Sequence, residues 1–469
     1  MKIIIKYIFI FLAIGIFASC KKYLDVNKNP NEATKPPING LLIRTTQNTA
    51  LNVFRVSNIT SYYVQYLANV SLAGATDTYE PIDASGTWTS LYDNMTDIYD
   101  LQKFGEERGA FQYQGVAKIM MAMNLQLVHN LWGAAPYSDA FTGESLTPKY
   151  DDAQTIFQTC LTLLDDGIVL IQKSGPSEND LSKDGDLIHH GVVAAWVKTA
   201  HALKARLLNQ LSKTAQYNTG NIFTELAAAY TSTADDAFIT TFDVRNPWNQ
   251  EAVDNAALNL DGWLSKNYVD AMTGATYGIP DPRLPFTASL TKFGDYRGTR
   301  NGGDRVGSGT KKEESYVDLN GYYSSTSSPL YIITYEEMKF IEAEAAFRSN
   351  DLARAYAAYL EGIKANMNKI GVAAAARDGY VNDPSVSVGE ASLTLGLIFK
   401  EKYKALFLMP VTWDDARRFD YAYQGFQLPL NVVTNTFIRR LVYPTVETGR
   451  NSANVPAVSD VTQRLWWDQ

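Results

Sequence analysis

Apolar residues recur every three to four positions over long stretches of this chain, the spacing of a helix that buries one face. Between residues 113 and 131, Val116, Ile119 and Met123 follow this spacing, and Gly133 predicts where the helix ends. The same pattern predicts further helices at residues 152–168, 192–211, 336–348, 352–370 and 393–408. Alternation of apolar and polar residues is scarce outside short pieces such as 330–334, so we predict a mainly α fold with little sheet.

Two of the predicted helices, 336–348 and 352–370, form a pair of about the 35-residue length of a tetratricopeptide hairpin. Ser349, Asn350 and Asp351 lie between them and are typical of a turn followed by a helix cap. Small alanines on both helices predict a close contact. The residues expected to face the preceding helix are Ala353, Tyr356, Leu360, Ile363 and Met367.

Two regions lack the helical pattern. Residues 71–89 are rich in Gly, Thr, Asp and aromatic side chains, and residues 231–328 carry repeated prolines and a glycine cluster at 301–309. We predict a long loop in the first region and an irregular insertion in the second, both within a single domain that covers residues 20–469. Long loops in a compact protein are often functional, so we expect the binding surface there.

The first twenty residues have the order of a bacterial lipoprotein signal. Lys2 and Lys6 are followed by an uncharged apolar run at 7–17, and small residues precede Cys20. The run is shorter than the ~20 residues that a membrane-spanning helix needs. We therefore predict a signal peptide at 1–19 and lipidation of the Cys20 thiol. The alternative is an ordinary signal peptide cleaved near Ser19.

Charge and cysteine content narrow the functional classes. The 469 residues carry a net charge of −8 without a basic block, which argues against nucleic acid as a partner. The one other cysteine, Cys160, lies in an apolar helical run. Its thiol is predicted to be buried and inert.

The acidic and histidine residues do not form a convincing catalytic or metal-binding set. The four histidines lack the spacing of a metal site. Glu342 and Glu344 are two residues apart and point to different sides of a helix, so they do not flank one bond. Glu337 and Glu344 share a face, and we expect ion pairs with Lys339 or Arg348.

Two further motifs are predicted to be structural. Asp414 and Asp415 stand close to Arg417 and Arg418, which predicts an ion-paired corner. The glycine cluster at 301–309 lacks the Gly-Lys-Ser/Thr ending of a phosphate-binding loop. We therefore predict no catalytic residue, no metal and no cofactor.

Aromatic residues in the irregular regions give a better signal. Sugar rings stack their C–H faces on Trp and Tyr while their hydroxyls bind polar side chains. The candidate ligand-binding residues are Tyr79, Trp88, Tyr92, Trp263, Tyr268, Tyr277, Tyr296, Arg297 and Tyr322. Asp77, Asp295 and Asn301 are further polar candidates, and packing beneath a loop is the competing interpretation for any single ring. Trp466 and Trp467 are expected instead to pin the C-terminus to the core.

Several short motifs, in their order along the chain, resemble those of the SusD/RagB family of outer-membrane lipoproteins. They are CKKYLDVN at 20–27, LWGAAPYSDAF at 131–141, YEEMKFIEAEA at 335–345, EKYKALF at 401–407, WDDARR at 413–418, RRLVYP at 439–444 and LWWD at 465–468. The element YGIPDPR at 277–283 is similar to that of one subgroup of SusD-like proteins. Together the motifs cover nearly the whole chain after the signal.

The resemblance implies a mostly helical fold with tetratricopeptide-like hairpins on one side and an irregular ligand-binding side. It also implies a lipid anchor in the outer membrane, a position facing the exterior, and a SusC-type TonB-dependent transporter as partner. Members of the family capture glycans or peptides, so the ligand stays open between these classes, with a glycan favoured.

Two other functional classes compete with ligand capture. A lipid-anchored glycoside hydrolase would need two carboxyl groups about 5–10 Å apart across the scissile bond. A tetratricopeptide-like interaction scaffold would bind a protein and retain no small ligand.

Overall fold

The computed structural model describes residues 37–72, 74–258, 262–303 and 312–469. The predicted signal peptide at 1–19, Cys20 and most of the glycine cluster at 301–309 lie outside these residues. The described part contains fifteen α-helices and one two-stranded sheet. The prediction of a mainly α fold is therefore confirmed.

The first nine helices, in chain order, are α1 (Ile38–Tyr63), α2 (Ala75–Thr78), α3 (Ser85–Arg108), α4 (Phe111–Trp132), α5 (Ala153–Ile171), α6 (Val193–Gln210), α7 (Thr219–Ala228), α8 (Pro247–Leu258) and α9 (Lys266–Thr273). The remaining six are α10 (Tyr335–Arg348), α11 (Leu352–Ile370), α12 (Ala374–Val381), α13 (Leu395–Ala405), α14 (Val411–Arg418) and α15 (Thr445–Arg450). The strands β1 (Ala237–Ile239) and β2 (Leu330–Ile333) pair antiparallel, with Ala237 opposite Ile333.

Helix α4 forms the centre of the N-terminal half. Nearly all of its side chains are buried, and it packs against α1, α3 and α5. A Cβ atom on Gly115 would lie 2.6 Å from Ile171 Cβ and 2.8 Å from the Gly167 oxygen. Glycine at position 115 therefore permits the close crossing of α4 and α5.

Local capping signals place several helix ends where the sequence predicts them. The Asp152 carboxylate accepts hydrogen bonds from the backbone of Gln154 and Thr155 and starts α5. Asp351 accepts one from Arg354 N at the start of α11, and Gly371, with φ +89°, ends that helix. The helix predicted at 352–370 therefore has the bounds Leu352–Ile370.

The predicted contact face of α11 is partly wrong. Ile363 and Met367 are buried as expected, but Ala353 is exposed, and Tyr356 and Leu360 are only half-buried. Small residues make the close approach instead: Ala355 and Ala358 are buried, and a Cβ atom on Gly362 would lie 3.0 Å from the Phe340 ring of α10. The prediction selected mainly large side chains, whereas small side chains allow the close approach of α11 to α10.

Helix α5 is the one helix among the described residues that is long and apolar enough to cross a membrane. Its residues Ile156, Phe157, Cys160 and Leu164 are buried, and the helix packs against α4 and α6. We assign it as a core helix. The predicted burial of the Cys160 thiol is confirmed, and burial raises its pKa.

The two irregular regions meet in space. Asn301 Nδ2 donates to Asp77 Oδ1 at 2.9 Å, and a bridge between Leu67 and Leu264 joins the segment after α1 to the segment before α9. The prediction of an uninterrupted loop at 71–89 is wrong, because α2 lies inside it and α3 begins at Ser85. Residues 231–328 are irregular between the short elements β1, α8 and α9.

Candidate functional site

Buried ion pairs explain most of the charged motifs that the sequence singles out. Arg417 pairs with Asp414 at 2.5 Å and Arg418 with Asp415 at 2.6 Å, so the predicted ion-paired corner is confirmed. Arg418 also pairs with Glu344 at 2.6 Å. These charged side chains are buried, and each is compensated by a partner of opposite charge.

The two glutamates on the shared face of α10 have different partners. Glu344 lies 3.0 Å from Arg348, as predicted, whereas Glu337 pairs with Arg206 of α6 at 2.6 Å. Lys339 pairs with Glu342 instead. Within the described ranges, no group of three or more His, Cys, Asp or Glu residues is arranged to hold a metal ion.

Four of the nine candidate ligand-binding residues lie in the core. Tyr79, Trp88, Trp263 and Tyr268 are each at most 3% exposed. Trp88 belongs to α3 and stacks on Tyr92 with ring centroids 4.7 Å apart. The Tyr268 hydroxyl lies 2.9 Å from Thr287 Oγ1. In this arrangement a ligand in solvent does not reach these rings.

Two other candidates are half-buried and lie apart from the remaining ones. The Tyr92 hydroxyl donates to the Pro136 oxygen at 2.9 Å. Tyr322 shares a hydrogen bond of 2.7 Å with the Tyr331 hydroxyl of β2. The Tyr92 ring packs on Trp88, and the Tyr322 ring packs on Tyr323, so both rings contact the interior.

The last three candidates, Tyr277, Tyr296 and Arg297, lie around α9. Tyr277 and Tyr296 are half-buried, and Arg297 is exposed and paired with Asp295 at 2.7 Å. Their ligand-binding role stays a prediction. Of the nine candidates, Tyr296 is the one that lines either of the two cavities at the ends of α9.

An apolar cavity of about 580 Å³ lies at the C-terminal end of α9. Its walls include Met272, Ile279, Pro280, Pro282, Tyr296 and Tyr380. Gly274, with φ +88°, lets the chain turn back here, because a Cβ atom would lie 2.6 Å from the Ile279 carbonyl carbon. The element YGIPDPR thereby forms one wall of the cavity.

A buried charge cluster supports that wall. Arg283 pairs with Asp281 at 2.6 Å and with Glu401 at 2.8 Å, and Lys404 Nζ lies 3.3 Å from Asp281. Burial favours the protonated form of Asp281, but the positive charges of Arg283 and Lys404 outweigh it and hold its pKa well below the usual range. Lys404 Nζ also lies 5.1 Å from the centre of the Tyr277 ring.

A polar cavity of about 300 Å³ lies at the N-terminal end of α9. Its polar walls include Gln65, Lys266, Asn267, Asp270, Arg300 and Gln427. None of these residues is among the nine candidates, because the sequence search started from aromatic rings. The prolines and glycines in the sequence indicated this region, but they did not identify the individual polar side chains.

A buried carboxylate fixes one wall of the polar cavity. Asp77 accepts hydrogen bonds from Asn69 N at 2.8 Å, Gly302 N at 3.0 Å and Asn301 Nδ2 at 2.9 Å. Burial raises the pKa of Asp77 to about 6, although these three donors act in the opposite direction. A Cβ atom on Gly302 would lie 1.8 Å from the Leu430 oxygen, so this wall requires glycine.

Comparison with known proteins indicates the same family that the short sequence motifs resemble. The family model described as "Starch-binding associating with outer membrane" matches residues 30–444. No curated protein matches the chain.

Solved structures share the fold at low sequence identity. A SusD/RagB family protein from Bacteroides thetaiotaomicron is 20% identical with a TM-score of 0.75, covering 92% of this chain and 99% of that chain. A chitin-binding SusD homolog from Flavobacterium johnsoniae is 20% identical with a TM-score of 0.76, covering 92% and 98%. A SusD homolog from Bacteroides ovatus gives 20% identity and a TM-score of 0.76, covering 92% and 99%.

Proposed function

This chain belongs to the SusD-like family, and we propose that it captures a nutrient glycan and delivers it to a SusC-type TonB-dependent transporter. The observation that carries the proposal is the family match together with two cavities at the ends of α9. The polar cavity offers amide and charged groups for sugar hydroxyls, and Tyr296 offers a ring at the wall of the apolar cavity.

We further propose that the protein is a lipoprotein anchored through Cys20 and facing the exterior. The basic, apolar and small-residue order before Cys20 supports the anchor. Two or three acyl chains, each burying ~0.8 kcal/mol per methylene, would hold it at the membrane. The family's description as associating with the outer membrane agrees with this location.

A glycan is favoured over a peptide by the chitin-binding relative that shares the fold. The hydrolase alternative requires two carboxyl groups facing one bond. Asp270, the acidic residue of the polar cavity, is paired with Lys266 at 2.5 Å, which favours binding over catalysis. We therefore propose a binding protein and not an enzyme.

Glycan and peptide arrays probed with the full-length protein in mild detergent test the proposal. We expect retention of one or more glycans without release of shorter products. Retention of peptides alone would show that the ligand is a peptide and not a glycan. Turnover of an oligosaccharide would favour the hydrolase. Retention of a partner protein alone, with no small ligand, would favour the scaffold.

The delivery step has its own test. The native protein, extracted in mild detergent, should co-purify with a large transporter through an extensive interface. A ligand that bridges both proteins should tighten the association. Recovery of a free monomer alone would contradict delivery while leaving capture in place.

A further inference from the structure

The polar cavity carries an excess positive charge, although the whole chain has a net charge of −8. The charged residues on its walls are Lys266, Asp270 and Arg300. Lys266 Nζ and Asp270 Oδ2 lie 2.5 Å apart and offset each other. Among the described residues of the wall, Arg300 therefore contributes a positive charge that no carboxylate balances.

The Arg300 guanidinium is exposed and has no hydrogen bond or ion pair with another described residue. The neighbouring Arg297 differs, because its guanidinium is paired with Asp295 at 2.7 Å. Arg206, Arg283 and Arg418 are likewise paired with carboxylates. Arg300 thus presents free N–H donors at the edge of a cavity.

The backbone around Arg300 is held on both sides. Thr299 N donates to the Leu264 oxygen at 2.8 Å, and Gly303 N donates to the Arg300 oxygen at 3.0 Å. Asn301 is buried and bound to Asp77. The side chain of Arg300 is therefore presented from a fixed position, which lowers the cost of ordering it on a ligand.

We propose that Arg300 binds an anionic substituent, so that the captured glycan is an acidic one carrying carboxylate or sulfate groups. The inference rests on the proposed function and names the substrate class of the same site. A planar guanidinium donates two parallel hydrogen bonds to such a group. The amides of Gln65, Asn267 and Gln427 surround it and suit the uncharged hydroxyls of the same ligand.

Isothermal titration of the full-length protein in mild detergent tests the proposal with three oligosaccharides of equal length. They are an oligouronate, its carboxyl-reduced neutral counterpart, and a sulfated derivative of that neutral counterpart. The variants are Arg300→Ala, Arg300→Lys and Arg450→Ala. Arg450 is an exposed arginine of α15 outside both cavities, so its loss controls for a general change in surface charge.

We expect the wild type to bind one anionic oligosaccharide at least about tenfold more tightly than the reduced one, with an affinity that falls as salt is added. Arg300→Ala should remove that preference, Arg300→Lys should restore part of it, and Arg450→Ala should bind like the wild type. The oligouronate and sulfated arms distinguish the two anionic groups.

Three results with the variants would overturn the proposal. The first is equal weakening of neutral and anionic binding by Arg300→Ala, the second is no effect of Arg300→Ala, and the third is an equal loss in Arg450→Ala. A wild type that prefers the reduced oligosaccharide would also overturn it, while leaving glycan capture standing. Binding of none of the three would contradict both the acidic ligand and the proposed function.

Discussion

Asp77 and Asn301 are 224 positions apart in the sequence, yet Asn301 Nδ2 donates a hydrogen bond of 2.9 Å to Asp77 Oδ1. Gly302 N donates to the other oxygen of the same carboxylate at 3.0 Å. Asn301 also lines the polar cavity. One buried side chain therefore joins the two irregular regions at the candidate site.

We expect Asp77 to make the protein less stable as the pH rises from about 4 to about 6. Its pKa is about 6 in the folded protein against a reference value of 3.8, so the folded state holds the proton more tightly. The resulting stabilisation is full below pH 4 and lost above pH 6, and it amounts to at most about 3 kcal/mol. Urea unfolding of the wild type and Asp77→Asn at pH 4 and pH 7 measures it. An identical pH dependence in both proteins would contradict the assignment to Asp77.

Gly115→Ala should destabilise the protein by about 1–3 kcal/mol, because the new Cβ atom would lie 2.6 Å from Ile171 Cβ. Gly86→Ala is the matched control: this glycine lies in helix α3, and a Cβ atom there would meet nothing within 4 Å. That change should stabilise the protein by up to about 1 kcal/mol. Thermal melting curves compare the two. A similar effect of both changes would show that α4 and α5 have room to separate.

Tyr296→Ala should weaken glycan binding several-fold with little loss of stability, because the ring is half-buried at the wall of a cavity. Tyr356→Ala is the control, since Tyr356 is also half-buried but lies on α11 and bonds to Ser387. Titration calorimetry with the retained glycan gives the affinities. Unchanged affinity in Tyr296→Ala would remove this ring from the site.

Trp88→Ala should behave oppositely and lower the free energy of unfolding by about 3–5 kcal/mol, the range for large buried side chains. The ring is 3% exposed and packs edge-on against Trp132 with centroids 4.9 Å apart. Trp196→Ala, at a fully buried ring of α6, should give a similar loss. Denaturant melts of both variants provide the measurement. A stable Trp88→Ala variant with weakened ligand binding would show that Trp88 belongs to the ligand-binding site.

Cys20→Ala should release the protein from the membrane fraction, because the thiol is the predicted attachment point of the acyl chains. Fractionation followed by a high-salt wash separates anchored from loosely bound protein. Ser19→Ala serves as the control, because it keeps a small residue before Cys20, and this variant should remain anchored. A Cys20→Ala protein that still pellets with outer membranes would contradict lipid anchoring.

Helix positions were predictable where the signals are local. Asp351 and Gly371 both act within one turn of α11, so its two ends can be predicted from neighbouring residues alone. Helix α3 was not predicted, and its first residues Ser85, Gly86 and Thr87, which carry no apolar stripe, fall within the predicted loop at 71–89. That helix is fixed by its later turns, where Leu91, Met95 and Ile98 are buried.

The candidate site was predictable only as a region. Gln65, Lys266, Arg300 and Gln427 come together through contacts between distant segments, and no local spacing relates them. Ring identity also says little about exposure: Trp263 is 1% exposed, whereas Tyr296 on the same irregular segment is half-buried. Burial depends on which segments cover a side chain, and this is decided by the tertiary fold.

A buried charge cluster limits how the 277–283 wall of the apolar cavity can be exchanged between relatives. Its members are Asp281, Arg283, Glu401 and Lys404. Removing one member would leave an unbalanced charge in the interior, which is typically more costly than replacing the whole set by apolar residues. A relative that receives only residues 277–283 of this chain would therefore gain an acid and a base without their counterparts on α13. Loop grafts intended to change ligand preference should carry Glu401 and Lys404 along with the loop, or leave Asp281 and Arg283 in place and vary the residues around them.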